Sequence, residues 1–170
     1  KYPEILEFLC PDDVPEIIES PWLASKESIP MAEGVAIQSL IDRWSSGGVE
    51  LVNVKARVFS ARTFNRAIAN GFNKADLLSH ATLGLVRDLV AALHPIGTRG
   101  AVYCDRHGGR RYYAAALQHH FPDWLLQVVG ESKEQSKYRL ACDDSELDVH
   151  FTVKGDRFTP VAYSSLFAKY

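Results

Sequence analysis

The spacing of apolar residues along the chain predicts several helices. Apolar residues recur at helical intervals from Pro30 to Trp44, and the glycine pair Gly47-Gly48 is typical of a helix end. A longer helix is predicted to start at Asn73, because asparagine caps helix starts and an acid follows three residues later. Its apolar stripe comprises Leu78, Ala81, Leu85, Leu89 and Ala92. Shorter helices are predicted at Phe64–Ala69, Tyr112–His120 and residues 160–170.

Other segments have the apolar pattern of strands. Alternating or continuous apolar runs bounded by turn residues predict five of them: Val49–Phe59, Gly100–Cys104, Leu125–Val129, Ser136–Cys142 and Leu147–Val153. Strands and helices that alternate without an internal repeat indicate a mixed α/β domain. Because the first 30 residues hold five of the eight prolines, we expect an irregular or short-helical connection there.

The composition is that of one globular domain. The chain has 170 residues, of which 46% are apolar and 24% charged, and this excludes disordered, collagen-like and coiled-coil proteins. No uncharged run approaches the roughly 20 residues that a membrane-spanning helix needs. Three cysteines without metal-ligand spacing favour free thiols in a reducing compartment, so we expect a cytoplasmic protein.

The charges are unevenly distributed along the chain. The net charge is −2 overall, but residues 1–48 carry −6, residues 49–139 carry +6 and residues 140–170 carry −2. The basic middle could form a basic face, or it could consist of solvated helix and loop positions. We expect residues 1–48 to be an acidic connection with a helix, and residues 49–170 to form the core.

Two aspartates follow predicted strands. Asp105 comes directly after the apolar run that ends at Cys104, and Asp156 follows the Leu147–Val153 run. Polar groups at the carboxyl ends of strands can enter a shared site. Two carboxylates held together would favour hard cations with oxygen ligands, chiefly Mg²⁺ or Mn²⁺. The alternative is that each aspartate caps a turn or a helix.

The segment from Val153 to Tyr170, VKGDRFTPVAYSSLFAKY, resembles a signature of ribonuclease HII, the type 2 ribonuclease H family. In that family a strand ends in Lys-Gly/Ala-Asp and is followed by an apolar helix rich in small residues. The run from Ala101 to Asp105 is similar to the family's strand that leads to an acidic metal ligand. The resemblance covers about residues 49–170 and implies a ribonuclease-H-like mixed sheet flanked by helices. An inserted helix and strands would lie between Asp105 and Asp156.

The resemblance also implies an activity and a set of site residues. Asp105 and Asp156 would be two of four catalytic carboxylates that hold Mg²⁺ or Mn²⁺, with Lys154, Ser165 and Lys169 close to the site and to the substrate. The implied reaction hydrolyses the RNA strand of an RNA–DNA hybrid and leaves a 5′-phosphate. The family's opening Asp-Glu strand has no counterpart here. We therefore expect the chain to begin after that strand, to end within its last helix, and to be a weak metal binder and a poor nuclease alone.

Basic and aromatic residues interleave in the insertion between the two aspartates. Arginine and tyrosine planes suit phosphate contact and base stacking, and we expect this role for Arg106 and Arg110, which flank a glycine turn beside Asp105. The alternative is a solvated helix and hairpin with tyrosines packed at their edges. His107 is a candidate proton carrier because it lies two residues beyond Asp105. His119 and His120 cannot share a helix face, so surface or packing roles are predicted for both.

Three functions are compatible with these features. The first is a metal-dependent endonuclease of ribonuclease HII type that acts on RNA–DNA hybrids. The second is a catalytically inactive member of the same fold that binds nucleic acid through the basic middle. The third is a protein-interaction domain in which the carboxylates only cap turns. The sequence leaves the oligomeric state open.

Overall fold

The computed structural model of the chain describes residues 2–19, 34–93 and 99–168. These residues form two compact units that divide between Ser60 and Ala61. In the first unit, helices α1 (Tyr2–Leu9), α2 (Val14–Ile18) and α3 (Gly34–Ser46) confirm the predicted short-helical start and the helix before Gly47. Gly48 has a φ of +71°, the left-handed conformation expected at a helix end. The predicted start of that helix, residues 30–33, lies outside the described residues.

The predicted strand Val49–Phe59 is wrong, because the structure has no regular strand there. One of its backbone amides, that of Ala56, donates to the Leu9 carbonyl at 2.7 Å. Further along, Asp13 accepts hydrogen bonds from the Arg57 side chain at 3.0 and 3.1 Å and from the Val58 backbone at 2.8 Å. An alternating pattern becomes a strand only when a neighbouring strand satisfies its backbone groups. Here a buried carboxylate supplies part of that hydrogen bonding instead.

The second unit contains a four-stranded mixed sheet flanked by helices, which confirms the predicted α/β class. Its elements are α4 (Ala61–Ala69), α5 (Lys74–Leu93), β1 (Arg99–Asp105), α6 (Ala114–His120), β2 (Leu125–Glu131), β3 (Gln135–Cys142), β4 (Ser145–Thr152), a 3₁₀ turn (Gly155–Arg157) and α7 (Thr159–Phe167). The Asn73 side chain accepts the Asp76 amide at 2.9 Å, so the predicted cap of α5 is confirmed.

The strand order in the sheet is β1-β4-β3-β2. Strands β2, β3 and β4 form an antiparallel meander, whereas β1 pairs with β4 in parallel, from Arg99 opposite Glu146 to Asp105 opposite Thr152. The register of β2 against β3 shifts between Val128 and Gly130, which is an irregularity in the pairing of the strand that ends this order. The parallel pair brings the carboxyl ends of β1 and β4 to one edge of the sheet.

The hydrophobic core lies between one face of the sheet and helices α5 and α6. The Tyr113 and Phe151 rings stack there with centroids 3.6 Å apart, and Tyr138 meets Phe151 edge-on. The face of α5 that is buried or packed against this core comprises Ser79, Leu83, Val86 and Val90 rather than the predicted stripe. The spacing of three and four residues is preserved, but the buried face is displaced around the helix from the predicted stripe. A serine is tolerated on this face because the Ser79 hydroxyl donates to the Ala75 carbonyl.

The three cysteines are free, as predicted, and Cys104 is buried in β1. Burial raises the pKa of the Cys104 thiol to about 12, and the neighbouring Asp105 carboxylate adds to the increase. This thiol is therefore a packing group rather than a nucleophile. Within the described ranges, no helix combines the length and apolar character needed to cross a membrane.

We expect Tyr138→Phe to lower the free energy of unfolding by about 1–3 kcal/mol. The buried Tyr138 hydroxyl accepts the Tyr113 amide at 2.9 Å and donates to Glu131, so its removal leaves a buried amide without its acceptor. Tyr112→Phe is the matched control, because Tyr112 is 69% exposed, and it should change stability little. Urea unfolding followed by circular dichroism measures both. Equal stability of the two variants would contradict the assigned role of the hydroxyl.

Candidate functional site

Asp105 lies against the turn that carries Asp156. Because β1 and β4 are parallel, both segments leave the sheet at the same edge, and the Gly155 amide donates to Asp105 Oδ1 at 3.0 Å. Asp105 and Asp156 are both exposed. The predicted convergence of the two strand ends is therefore present in the fold.

The other residues predicted near this edge have different placements. Lys154 is exposed and adopts a left-handed conformation, with φ 56° and ψ 54°, which turns the chain from β4 into the 3₁₀ turn. Ser165 is exposed on α7. Lys169 lies outside the described residues. The Arg157 guanidinium lies over the Phe158 ring, 5.0 Å from its centroid, so a cation follows Asp156 directly.

Gly155 makes a close approach to Asp105. A Cβ atom at this glycine would lie 3.1 Å from Asp105 Cα, 3.2 Å from its Oδ1 and 3.3 Å from its backbone nitrogen. Two of these three neighbours are backbone atoms, which cannot move aside as a flexible side chain can. The Lys-Gly-Asp sequence therefore needs glycine for contact with Asp105 rather than for an unusual backbone angle.

Carboxylate oxygens suit Mg²⁺ and Mn²⁺, and each carboxylate can accept several hydrogen bonds or a cation. Asp105 Oδ1 is already engaged by Gly155. Among the described residues, the one group of three or more potential metal ligands is formed by histidines and includes neither aspartate. Within the described residues, neither aspartate therefore belongs to a group of three potential ligands.

The Arg106 side chain holds the turn between β2 and β3. Its guanidinium donates to the Lys133 and Ser132 carbonyls and to Ser136 Oγ, the latter two at 3.0 and 3.2 Å. The Arg106 backbone amide bonds the Thr152 carbonyl at 3.1 Å. These contacts give Arg106 a structural role and do not support the predicted phosphate contact.

Arg110 is also engaged within the unit. Its guanidinium forms an ion pair with Asp76 on the first turn of α5 and donates to Ser79 Oγ at 3.2 Å. Both partners of the ion pair are partly buried, with 24% and 29% of their side-chain surface exposed. Arg110 therefore ties the segment after β1 to α5, and the predicted substrate contact would require this pair to open.

His107 lies in the core rather than at a substrate surface. Its Nδ1 lies 3.0 Å from Ser79 Oγ and its Nε2 lies 3.3 Å from Thr82 Oγ1, so hydroxyls of α5 engage both ring nitrogens. Burial, reinforced by the positive charge of Arg110, lowers the pKa of His107 to about 4. The imidazole is thus a neutral structural group near pH 7, which does not favour the predicted role as a proton carrier.

The tyrosines of the insertion divide into two kinds. Tyr113 and Tyr138 are buried, which agrees with the packing alternative, whereas Tyr112 is 69% exposed. Tyr112 and the exposed Arg111 line a cleft of about 560 Å³ between the start of α5 and the start of α6. An exposed aromatic ring beside a guanidinium can stack on a base and contact a phosphate.

The sequence pattern gives no indication that His80 belongs to a site. The histidines His119 and His120 end α6, and the structure brings His80 of α5 against both, although it is about 40 residues distant in sequence. One potential ligand atom from each histidine lies within 4.8 Å of the others. The spacing of residues within one helix cannot predict this histidine group, because one histidine lies on α5 and two lie on α6.

Comparison of the chain with protein-family models, curated proteins and solved structures gives no match. No relative therefore supports or opposes the resemblance to ribonuclease HII.

We expect Gly155→Ala to push the 3₁₀ turn away from Asp105 and to lower the free energy of unfolding by about 1–3 kcal/mol. Gly109→Ala is the matched control, because a Cβ there meets no atom within 4 Å. Thermal unfolding compares the two variants. A fully tolerated Gly155→Ala would argue against the close contact between the turn and β1.

We expect the free energy of unfolding of the second unit to fall as the pH falls from 6.5 to about 4, in part because of His107. The unfolded imidazole binds a proton below pH 6.5, whereas the folded one does so only below about 4, so the unfolded state binds more protons in this window. His107→Gln should flatten this dependence, although His120, whose pKa is lowered to about 4 as well, keeps part of it. Urea unfolding at a series of pH values gives the slope of the free energy of unfolding against pH. An unchanged slope in the variant would contradict the assignment.

Proposed function

We propose that the chain belongs to a metal-dependent endonuclease of ribonuclease HII type, which hydrolyses the RNA strand of RNA–DNA hybrids. The observation that carries this proposal is the convergence of Asp105 with the Lys-Gly-Asp turn at one edge of a mixed sheet, closed by the Gly155–Asp105 hydrogen bond. The same strand end and the same turn are the two parts of the sequence that resemble the family. Two distant segments meeting at one edge is the arrangement that a shared metal site needs.

In this proposal Asp105 and Asp156 would hold Mg²⁺ or Mn²⁺. When bound, the metal would supply Lewis-acid stabilisation of the oxygens that attack and leave during phosphodiester hydrolysis. The Gly155 amide orients one Asp105 oxygen and leaves the other carboxylate positions for a cation. Lys154, on the left-handed position before the turn, would offer its ammonium group to the substrate backbone, as would Lys169, while Ser165 would lie near the scissile region.

A second candidate function is nucleic-acid binding without hydrolysis. It is favoured by the cleft that Arg111 and Tyr112 line, because both side chains are exposed there. Phosphate contact from Arg111 and base stacking on Tyr112 would bind single-stranded segments or hybrid ends with little sequence preference. The protein-interaction alternative assigns the Gly155–Asp105 hydrogen bond to turn capping alone.

We expect Mn²⁺ titration to detect binding that Asp105→Asn and Asp156→Asn each remove. Asp144→Asn is the matched control, because Asp144 is an exposed acid just before β4, at the opposite end of the strand from Asp105. Calorimetry measures metal binding, and a labelled RNA–DNA hybrid incubated with the full-length protein reports cleavage. Loss of cleavage in both site variants but not in the control is the expected result.

Three outcomes separate the candidate functions. Absence of any Mn²⁺ or Mg²⁺ binding that depends on Asp105 or Asp156 would overturn the nuclease proposal. Hybrid binding that survives both substitutions, weakens with salt and is lost in Arg111→Ala would favour the non-catalytic binder. Absence of both metal and nucleic-acid binding would leave the protein-interaction domain.

A further inference from the structure

His80, His119 and His120 form a triangle where α5 meets α6. The ring centroids are 5.5 Å apart for His80 and His119, 5.3 Å for His80 and His120, and 5.2 Å for His119 and His120. The rings are inclined to one another by 53° to 89°, so they meet at their edges rather than stacking. Their ligand nitrogens converge within 4.8 Å, with His80 Nδ1 and His120 Nε2 at 3.1 Å.

The two helices hold these rings in different ways. His120 follows the buried Leu117 by three residues, and its ring lies beside Gly84 of α5, with Cε1 4.0 Å from the position of a Cβ there. His80 follows the buried Ser79 on α5 and is itself partly exposed. His119 is exposed at the end of α6. The His120 ring is therefore held by packing between the helices, the His80 ring is partly exposed and the His119 ring is exposed.

The spacing fits a tetrahedral ion with nitrogen ligands. Zinc–nitrogen bonds are about 2.0–2.1 Å, which at a tetrahedral angle separates two ligand nitrogens by roughly 3.3 Å. The His80–His120 nitrogen separation of 3.1 Å is close to this value. Imidazole nitrogens select Zn²⁺ and its neighbours such as Co²⁺ and Ni²⁺, whereas Mg²⁺ and Mn²⁺ take oxygen ligands.

Hydrogen bonding alone accounts for the cluster incompletely. The contact between His80 Nδ1 and His120 Nε2 accounts for only two of the rings, whereas a potential ligand atom of His119 also lies within 4.8 Å of theirs.

A cleft of about 520 Å³ opens beside His119 and His120. It is lined by residues of both helices, by the Asp123 carboxylate between α6 and β2, and by the Cys142 thiol and Asp143 carboxylate where β3 turns into β4. Three protein ligands leave a fourth position on a tetrahedral ion, and sites with an open position carry water or an exogenous ligand. The cleft gives such a ligand access to the cluster.

We infer that His80, His119 and His120 form a binding site for one Zn²⁺-type transition-metal ion, with a fourth position open to the adjacent cleft. The site consists of nitrogen ligands from α5 and α6. It is separate in residues and in metal preference from the Asp105–Asp156 edge, and it does not depend on the proposed nuclease activity.

Calorimetric titration of the chelator-treated protein with Zn²⁺ should give one site per chain. The exposed His119 allows a substitution that leaves the fold intact, and His119→Gln should weaken Zn²⁺ binding by roughly 10–100-fold or more. His80→Gln should have a similar effect. His150→Gln is the matched control, because His150 lies on β4, where it stacks on Tyr103, and it should bind Zn²⁺ as the unaltered chain does. Far-ultraviolet circular dichroism verifies that each variant is folded.

Co²⁺ absorption by the unaltered chain is a second test, which does not require any variant to fold. Co²⁺ bound by three nitrogens and a fourth ligand has visible d–d absorption typical of tetrahedral coordination, which Zn²⁺ should displace. Absence of saturable Zn²⁺ and Co²⁺ binding, or equal binding by the unaltered chain and His119→Gln, would overturn the proposal and leave a hydrogen-bonded histidine cluster. Zn²⁺ binding should be retained in Asp105→Asn, which shows that the histidine site can be present whether or not the nuclease proposal is correct.

Discussion

The parallel pairing of β1 with β4 is the constraint on which the second unit depends. The antiparallel meander β2-β3-β4 is local in sequence, whereas β1 joins it across the whole insertion, from Arg99 opposite Glu146 to Asp105 opposite Thr152. That pairing places Cys104 opposite Phe151 and directs the carboxyl ends of both strands to the same edge of the sheet. The 3₁₀ turn after β4 can then pack on Asp105. Without this register, the strand end at Asp105 and the Lys-Gly-Asp turn would not meet.

The sequence predicts the elements of the second unit well because their patterns are local. Gly100–Cys104 and Ser136–Cys142 lie within observed strands, and the Asn73 cap begins the observed helix α5. Val49–Phe59 has an equally regular alternation, yet it forms no strand. Alternation reports which side chains share a face, and it contains no information about whether a partner strand is adjacent. The strand prediction at Val49–Phe59 is therefore wrong because the segment has no partner strand, although its apolar pattern is regular.

The site residues show the same division between local and distant information. Asp105 and the Lys-Gly-Asp turn could be predicted to converge because both follow strands of one sheet. The internal partners of Arg106 and Arg110 could not, because each is about 25 to 35 residues away in sequence. From sequence, a basic residue beside a glycine turn resembles a phosphate ligand. The structure shows that these two arginines bind a carboxylate or carbonyl oxygens of the same unit instead. His80 illustrates the opposite case, since an isolated histidine gains significance only when another helix brings two more to it.

The register shift between Val128 and Gly130 affects how readily strand β2 could pair with a strand of another molecule. Strand β2 ends the strand order β1-β4-β3-β2, and Leu125, Val128 and Val129 on it are all exposed. A long, flat and apolar edge is a template for pairing with another molecule. The shifted register interrupts the regular row of backbone donors and acceptors and increases the local twist. The shifted register therefore makes β2 a poorer template for pairing with another molecule.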